Sequence, residues 1–170
     1  MAGEIRRVVT GHDAEGKAVV ISDGPAPNVK TDENRPNWGA TELWVGNETP
    51  TSNAGNEDTS LRPFTLPPPD GGSVFRILEL PPASSIKGDV VPETLDGAAV
   101  NSGRHAAMHK TRTIDYAVVL EGEVDMLLDD SETRMKAGDT LVQRGTVHAW
   151  NNPGDVPCLM MFVLIDAEPI

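Results

Sequence analysis

The sequence predicts an all-β protein of two packed sheets, and three observations carry that reading. With Gly 16 and Pro 14 in 170 residues, turn-forming breaks are too frequent for a helical bundle. Between the breaks run short segments rich in Val, Ile, Thr and aromatic residues, which suit a pleated, half-buried surface. The run from Cys158 to Ile165 is apolar on both strand faces, as a strand covered on both sides should be.

Taken in order, residues 4–22 read as a hairpin, with strands at 5–10 and 18–22. Ser22-Asp-Gly-Pro-Ala-Pro27 breaks the chain, and 28–37 reads as polar loop. Residues 40–45 form a short strand carrying Trp44; 47–60, rich in Asn, Thr, Glu, Asp and Gly, reads as an exposed loop. Leu66-Pro-Pro-Pro-Asp-Gly-Gly72 is a stiff turn before the strand 73–80, which Pro81 and Pro82 end. The alternation of that strand is imperfect, so either Arg76 or Glu79 points inward, with Glu79 read as a charge at the strand exit. Residues 83–104 lack periodicity and are long for a connection, which suits a lid, with a short helix over 92–96. The segments 123–128 and 133–136 flank a hairpin turn, and 156–165 closes the fold.

Size and composition fit one domain over 1–170, with wrapping strands in 1–82, the lid-like loop 83–104 and a core in 105–166. The formal net charge of −12 offers no basic footprint for nucleic acid and disfavours docking on anionic lipid. Neither a nucleic-acid nor a membrane partner is therefore expected. Cys158 is the single cysteine, so no intrachain disulfide forms. The first residues lack an apolar run of signal-peptide length and no stretch approaches a membrane span, so a cytoplasmic location is expected. A homodimer is also expected, because 156–165 is apolar on both faces and the N-terminal hairpin can cover a neighbour's sheet edge.

The chemistry concentrates in two segments. Residues 109–121 read as a strand ended by Gly122, and side chains alternate along a strand with period two. His109, Thr111 and Asp115 then face one way and Tyr116 the other. The second segment turns at Gly138-Asp139, runs as strand 140–143, turns at Gly145, and continues as strand 147–151, where Thr146, His148 and Trp150 share a face. If the strands meet in one barrel, His109, His148 and Asp115 can converge. Two imidazoles and a carboxylate form the facial set that binds a divalent ion and leaves positions open.

These segments resemble the two motifs of the cupin superfamily. His109, Asp115 and Gly122 stand at positions of the first motif; Gly138-Asp139, Gly145, His148 and Asn152 stand at positions of the second. The likeness is closest to small single-domain cupins with Met-His-x-Thr-x-Thr-x-Asp-Tyr, the pattern of 108–116. Three departures stand out. Thr111 occupies the place of the motif's second His, Asp115 that of a Glu, and Gln143 that of a Pro, the last read as concerning the turn alone. The resemblance implies a jelly-roll β-barrel of two antiparallel sheets. It also implies one divalent ion (Fe, Mn, Ni or Zn) on His109, Asp115 and His148, with Thr111 and Trp150 against a small-molecule substrate and His105 as a candidate base or pocket residue. The expected activity is that of a metal-dependent enzyme on a small oxygenated organic substrate, with lyase, isomerase or decarboxylase chemistry placed first. An iron-dependent dioxygenase and a non-catalytic binding barrel are the alternatives.

Overall fold

The computed structural model describes residues 4–86 and 98–169. Their regular structure is eleven strands and a single 3-10 turn, Ala83–Ser85. The strands are β1 (Arg6–His12), β2 (Ala18–Pro25), β3 (Asn28–Thr31), β4 (Gly39–Gly46), β5 (Ser73–Leu80), β6 (Thr113–Glu121), β7 (Glu123–Leu127), β8 (Glu132–Lys136), β9 (Thr140–Arg144), β10 (Ala149–Asn151) and β11 (Cys158–Asp166). A six-stranded sheet has the order β3-β4-β5-β11-β6-β9, and a three-stranded sheet the order β10-β7-β8. All pairings within both are antiparallel. This is the all-β cupin jelly-roll arrangement. The β1–β2 hairpin forms a third, two-stranded sheet of its own.

The apolar run at the end of the chain becomes β11, a central strand between β5 and β6. Its side chains alternate between buried and half-buried, so one face meets the core and the other lies under partial cover. Met160, Phe162 and Leu164 join Val74, Val119 and Val124 in the main core. Each such side chain contributes about 1.5–3 kcal/mol on burial. The register lines up Glu42, Arg76, Phe162, Ala117 and Leu141 across five strands. Asp115 and Gln143 are opposed two residues further along β6 and β9. Two buried polar pairs, Glu42 with Arg76 and Asp115 with Gln143, therefore stand on either side of the apolar β11 on the inner face of the sheet.

Several expectations shift. β2 continues to Pro25 through the expected break, and β3 occupies the expected loop at 28–31. β3 forms because its backbone pairs with β4 and the Asn28 amide donates to the carbonyls of Ser60 and Arg62. The strand expected from 109 begins only at Thr113; His109 instead makes isolated bridges to Ala99 and His148. The expected 92–96 helix, and half of the expected lid, lie outside the described residues. Gly122 ends β6 with φ of 76°, where an added Cβ would meet the Cys158 Cα and the Pro157 carbonyl at 3.1 Å. The tight β6–β7 turn thus needs glycine both for its backbone angle and for space. The hairpin is pinned by the buried Arg7, whose guanidinium donates to the Leu43 carbonyl, Ser60 Oγ and Asp58.

Candidate functional site

His109 and His148 meet as directly opposed residues that exchange both backbone hydrogen bonds, each at 2.9 Å. Their ring centroids are 4.2 Å apart. The structure therefore brings together the two histidines that the sequence placed in separate segments. Trp150 follows on the same side, with its ring 5.6 Å from His148 and 5.6 Å from Phe162. Burial lowers the pKa of both imidazoles; that of His148 falls to about 3, with the nearby His109 a second cause. Both rings are neutral at pH 7.

Hydrogen bonds set the tautomers. His109 Nδ1 lies 2.9 Å from the Ala107 carbonyl, which can only accept. The ring therefore carries its proton on Nδ1 and keeps a lone pair on Nε2. His148 Nδ1 lies 3.0 Å from the Thr146 carbonyl and 3.1 Å from Gln143 Nε2. The Gln143 amide is oriented by the Thr146 hydroxyl, which donates to its Oε1, and by its own donation to the Thr146 carbonyl. A carbonyl can only accept, so the His148 proton also belongs on Nδ1, toward Thr146, and Gln143 acts on the ring through Thr146, which it bonds twice. Gln143, expected to matter only for a turn, is fully buried and braces this histidine. Its odd position on strand 140–143, opposite Asp115, was the signal that could have found it.

His105 has the opposite tautomer. Its Nδ1 accepts from the Ala107 N–H at 3.1 Å, so the neutral ring carries hydrogen on Nε2. One residue, Ala107, thus donates its N–H to His105 and accepts at its carbonyl from His109. The Nδ1 lone pair of His105 is engaged by the first of these bonds.

Asp115 is buried, and burial raises its pKa to about 6 against the opposing effects of the Thr113 hydroxyl bond and the Arg76 charge. Its Oδ1 has no hydrogen-bond partner. Thr111 Oγ1 is 2.8 Å from Thr113 Oγ1; while Thr113 donates to the carboxylate, Thr111 must donate to Thr113. Thr111 faces a cavity of about 550 Å³ bounded by Ile114, Arg144 and Pro169. That cavity is distinct from the one against His109 and Trp150.

The latter cavity, of about 100 Å³, has Trp38, Phe64, Arg76, His109 and Trp150 among its walls. It adjoins one of about 370 Å³ that holds Arg104 and His105; the two share Arg35, Trp38, Leu80, Ala107 and Trp150. Arg76, the inward residue of β5, is 1% exposed and bonds the Glu42 carboxylate at 2.8 Å. Glu42, itself 0% exposed, also takes a bond from Arg62 at 2.9 Å. Trp38 and Phe64 were not singled out from the sequence. They lie in connections, where no periodicity marks an inward side chain.

The donor chemistry suits a divalent ion in part. A neutral imidazole with Nδ1 tied to a carbonyl offers Nε2 as a ligand, and an unpartnered buried carboxylate oxygen is an acceptor that a cation can satisfy. The spacing does not complete the set. Among the described residues no group of three or more His, Cys, Asp or Glu side chains is placed to hold one ion. The histidines form a pair and Asp115 stands apart from it.

The sequence is similar to that of known proteins along almost its whole length. A model of the cupin domain matches residues 95–164. The cupin-domain-containing oxidoreductase virC of Hypocrea virens is 32% identical over 96% of this chain and 77% of its own length. The cupin-domain-containing oxidoreductase fogC of Aspergillus ruber is 31% identical over 96% of this chain and 73% of its own. Phomopsin biosynthesis cluster protein C' of Diaporthe leptostromiformis is 44% identical over 55% of this chain, a match spanning about half (49%) of that protein's length. Among solved structures, a Cupin 2 conserved barrel domain protein from Salinispora arenicola aligns over 82% of each chain with 18% identity and a TM-score of 0.44. With the two motifs in register on one barrel and relatives of this identity along almost its whole length, the chain belongs to the cupin-domain family.

Proposed function

We propose that this protein is an enzyme that transforms a small oxygenated organic molecule, with His109 and His148 at the reacting centre. The observation that carries the reading is the imidazole pair: two buried neutral rings in contact, one of them on the cavity wall with its Nε2 lone pair free. Such a pair does little for stability that apolar side chains would not do better, and it is costly to bury. The names of virC and fogC favour the oxidoreductase class over the lyase, isomerase or decarboxylase class.

His109 and His148 would hold a divalent ion through Nε2; when bound, it would supply a Lewis acid for a substrate oxygen and, if iron, a redox centre. The chain's own residues do the rest. Ala107 and Thr146 fix the two tautomers, Gln143 holds His148 in place, and Trp150 closes the cavity wall beside it. The orphaned Oδ1 of Asp115 is the third candidate ligand. A binding barrel without an ion is the second reading, favoured by the separation of Asp115 from the histidines.

Metal content by elemental analysis and a substrate screen with and without O₂ test the proposal. The expected result is about one Fe, Mn, Ni or Zn per chain. His109→Ala and His148→Ala should each lower binding of the ion by about tenfold or more while circular dichroism stays unchanged. Full metal in both variants would overturn the assignment, and turnover that ignores O₂ would restore the non-redox class.

A further inference from the structure

The walls of the two adjoining cavities present guanidinium groups and no carboxylate. Arg35, Arg76 and Arg104 are among the lining residues, and the acids that pair with them, Asp32, Glu42 and Glu132, are not. The smaller cavity is also aromatic. Trp38 and Trp150 are two of the chain's three tryptophans, and Phe64 is one of its three phenylalanines. The Arg35 guanidinium sits 4.0 Å from the Trp38 ring centroid and that of Arg76 sits 4.4 Å from Phe64.

Arg76 has a donor to spare. Its Nη1 donates to the Leu66 carbonyl, and its Nη2 to Glu42 and to the Thr65 carbonyl. Its Nε is buried and has no hydrogen-bond partner. A buried guanidinium N–H left unpaired costs free energy that an oxygen ligand would restore. Volume limits what brings that oxygen. An apolar cavity of about 150 Å³ takes up a benzene-sized ring. The cavity of about 100 Å³ is smaller than that, but it shares five wall residues with the one of about 370 Å³, so a flat ring would lodge where the two meet, with substituents in the larger part.

We propose that the ligand of this site is an aromatic ring bearing an anionic oxygen, such as an arene carboxylate, with that oxygen accepting from Arg76 Nε and the ring beside Trp38, Phe64 and Trp150. The cavity is the one assigned to the substrate above, so the ligand class rests on that reading. His109 Nε2 then lies on the same wall as the bound ring.

The test is calorimetric titration of the full chain with benzoate, cyclohexanecarboxylate and benzyl alcohol, with tryptophan fluorescence as a second signal. Benzoate should bind about tenfold or more tighter than benzyl alcohol, the worth of one bond to a charged group, and about threefold or more tighter than cyclohexanecarboxylate, which keeps the charge and loses the aromatic contact. Arg76→Lys keeps a charge beside Glu42 and should weaken benzoate by a similar factor while leaving benzyl alcohol unchanged. Phe64→Leu should erase the preference for benzoate over cyclohexanecarboxylate. If Arg76→Lys does not fold, the unmodified protein's ranking of the three ligands still decides. Equal affinity for benzoate and benzyl alcohol, or no saturable benzoate binding at millimolar concentration, overturns the proposal. Benzoate binding without any turnover would keep this ligand class and remove the enzyme. Turnover of a non-aromatic substrate that benzoate does not inhibit would do the reverse.

Discussion

At the residue scale the site is a set of protonation states held by burial. Asp115 is an acid whose pKa burial raises to about 6 from 3.8. The folded chain therefore binds more protons than the unfolded chain between these values. The resulting penalty is absent below pH 3.8 and complete above about 6. In chelator-treated protein, Asp115→Asn should raise stability at pH 7.5 by about 1–3 kcal/mol, the gain vanishing near pH 3.5. Urea unfolding at the two pH values checks this, and an equal effect at both would mean that the carboxyl is not strained by burial. His148 works in the opposite sense. It is a base lowered to about 3, so its neutral burial is free of penalty above pH 6.5 and stability is lost as pH falls below that. The opposite facing of Asp115 and Tyr116 was legible in the sequence, because strand alternation is local; it did not extend to His109, which lies before β6 begins. Tyr116 does face away from the core. The tautomers were not legible, because they depend on the carbonyls of Ala107 and Thr146 and on the Gln143 amide across the turn.

At the element scale, β4 and β5 carry the charge that the cavity uses. Their register shifts between Glu42 and Trp44, and Glu42 ends beside Arg76 on the inner face. One carboxylate there joins two guanidinium groups, at 2.8 Å and 2.9 Å. Burying three charges is offset only while the partners stay matched. Glu42→Ala should cost about 3–5 kcal/mol because it leaves Arg76 unpaired. Glu42→Leu combined with Arg76→Met should recover most of that loss, while abolishing any preference for anionic ligands. Denaturant midpoints of the two variants check both statements, and a mild effect of Glu42→Ala would show that solvent reaches Arg76. The sequence showed strand 73–80 and the conflict between Arg76 and Glu79, since both follow from alternation. It did not show β3, whose four residues are held by pairing with β4 and by the Ser60 and Arg62 carbonyls. Nor did it show Glu42 as the partner, since that contact spans 34 residues of sequence.

At the scale of the whole molecule, the outer face of the large sheet is unevenly covered. Ile5 and Ala26, at the ends of the hairpin, pack with Leu43, Ile77, Leu159 and Met161 over one part of it. Beyond them Val142, Tyr116, Val163 and Phe75 run in register across β9, β6, β11 and β5. Val142 is 58% exposed and Tyr116 50%, and no charge interrupts the row. Contiguous apolar surface of this kind marks an association site. Chains of net charge −12 repel one another over most of their surfaces, so two copies would be expected to meet where charge is absent. A two-fold pairing of this row with itself satisfies that condition and closes without leaving a second sticky face. The expected result is a homodimer by light scattering at micromolar concentration. Tyr116→Lys and Val142→Glu place charge in the centre of the row, and each should weaken the dimer by about tenfold or more, since a buried unpaired charge is costly. Neither substitution reaches the histidine pair, so metal content should not change. A stable monomer mass for the unmodified chain would overturn the dimer, and a dimer indifferent to both substitutions would move the interface to the hairpin edge.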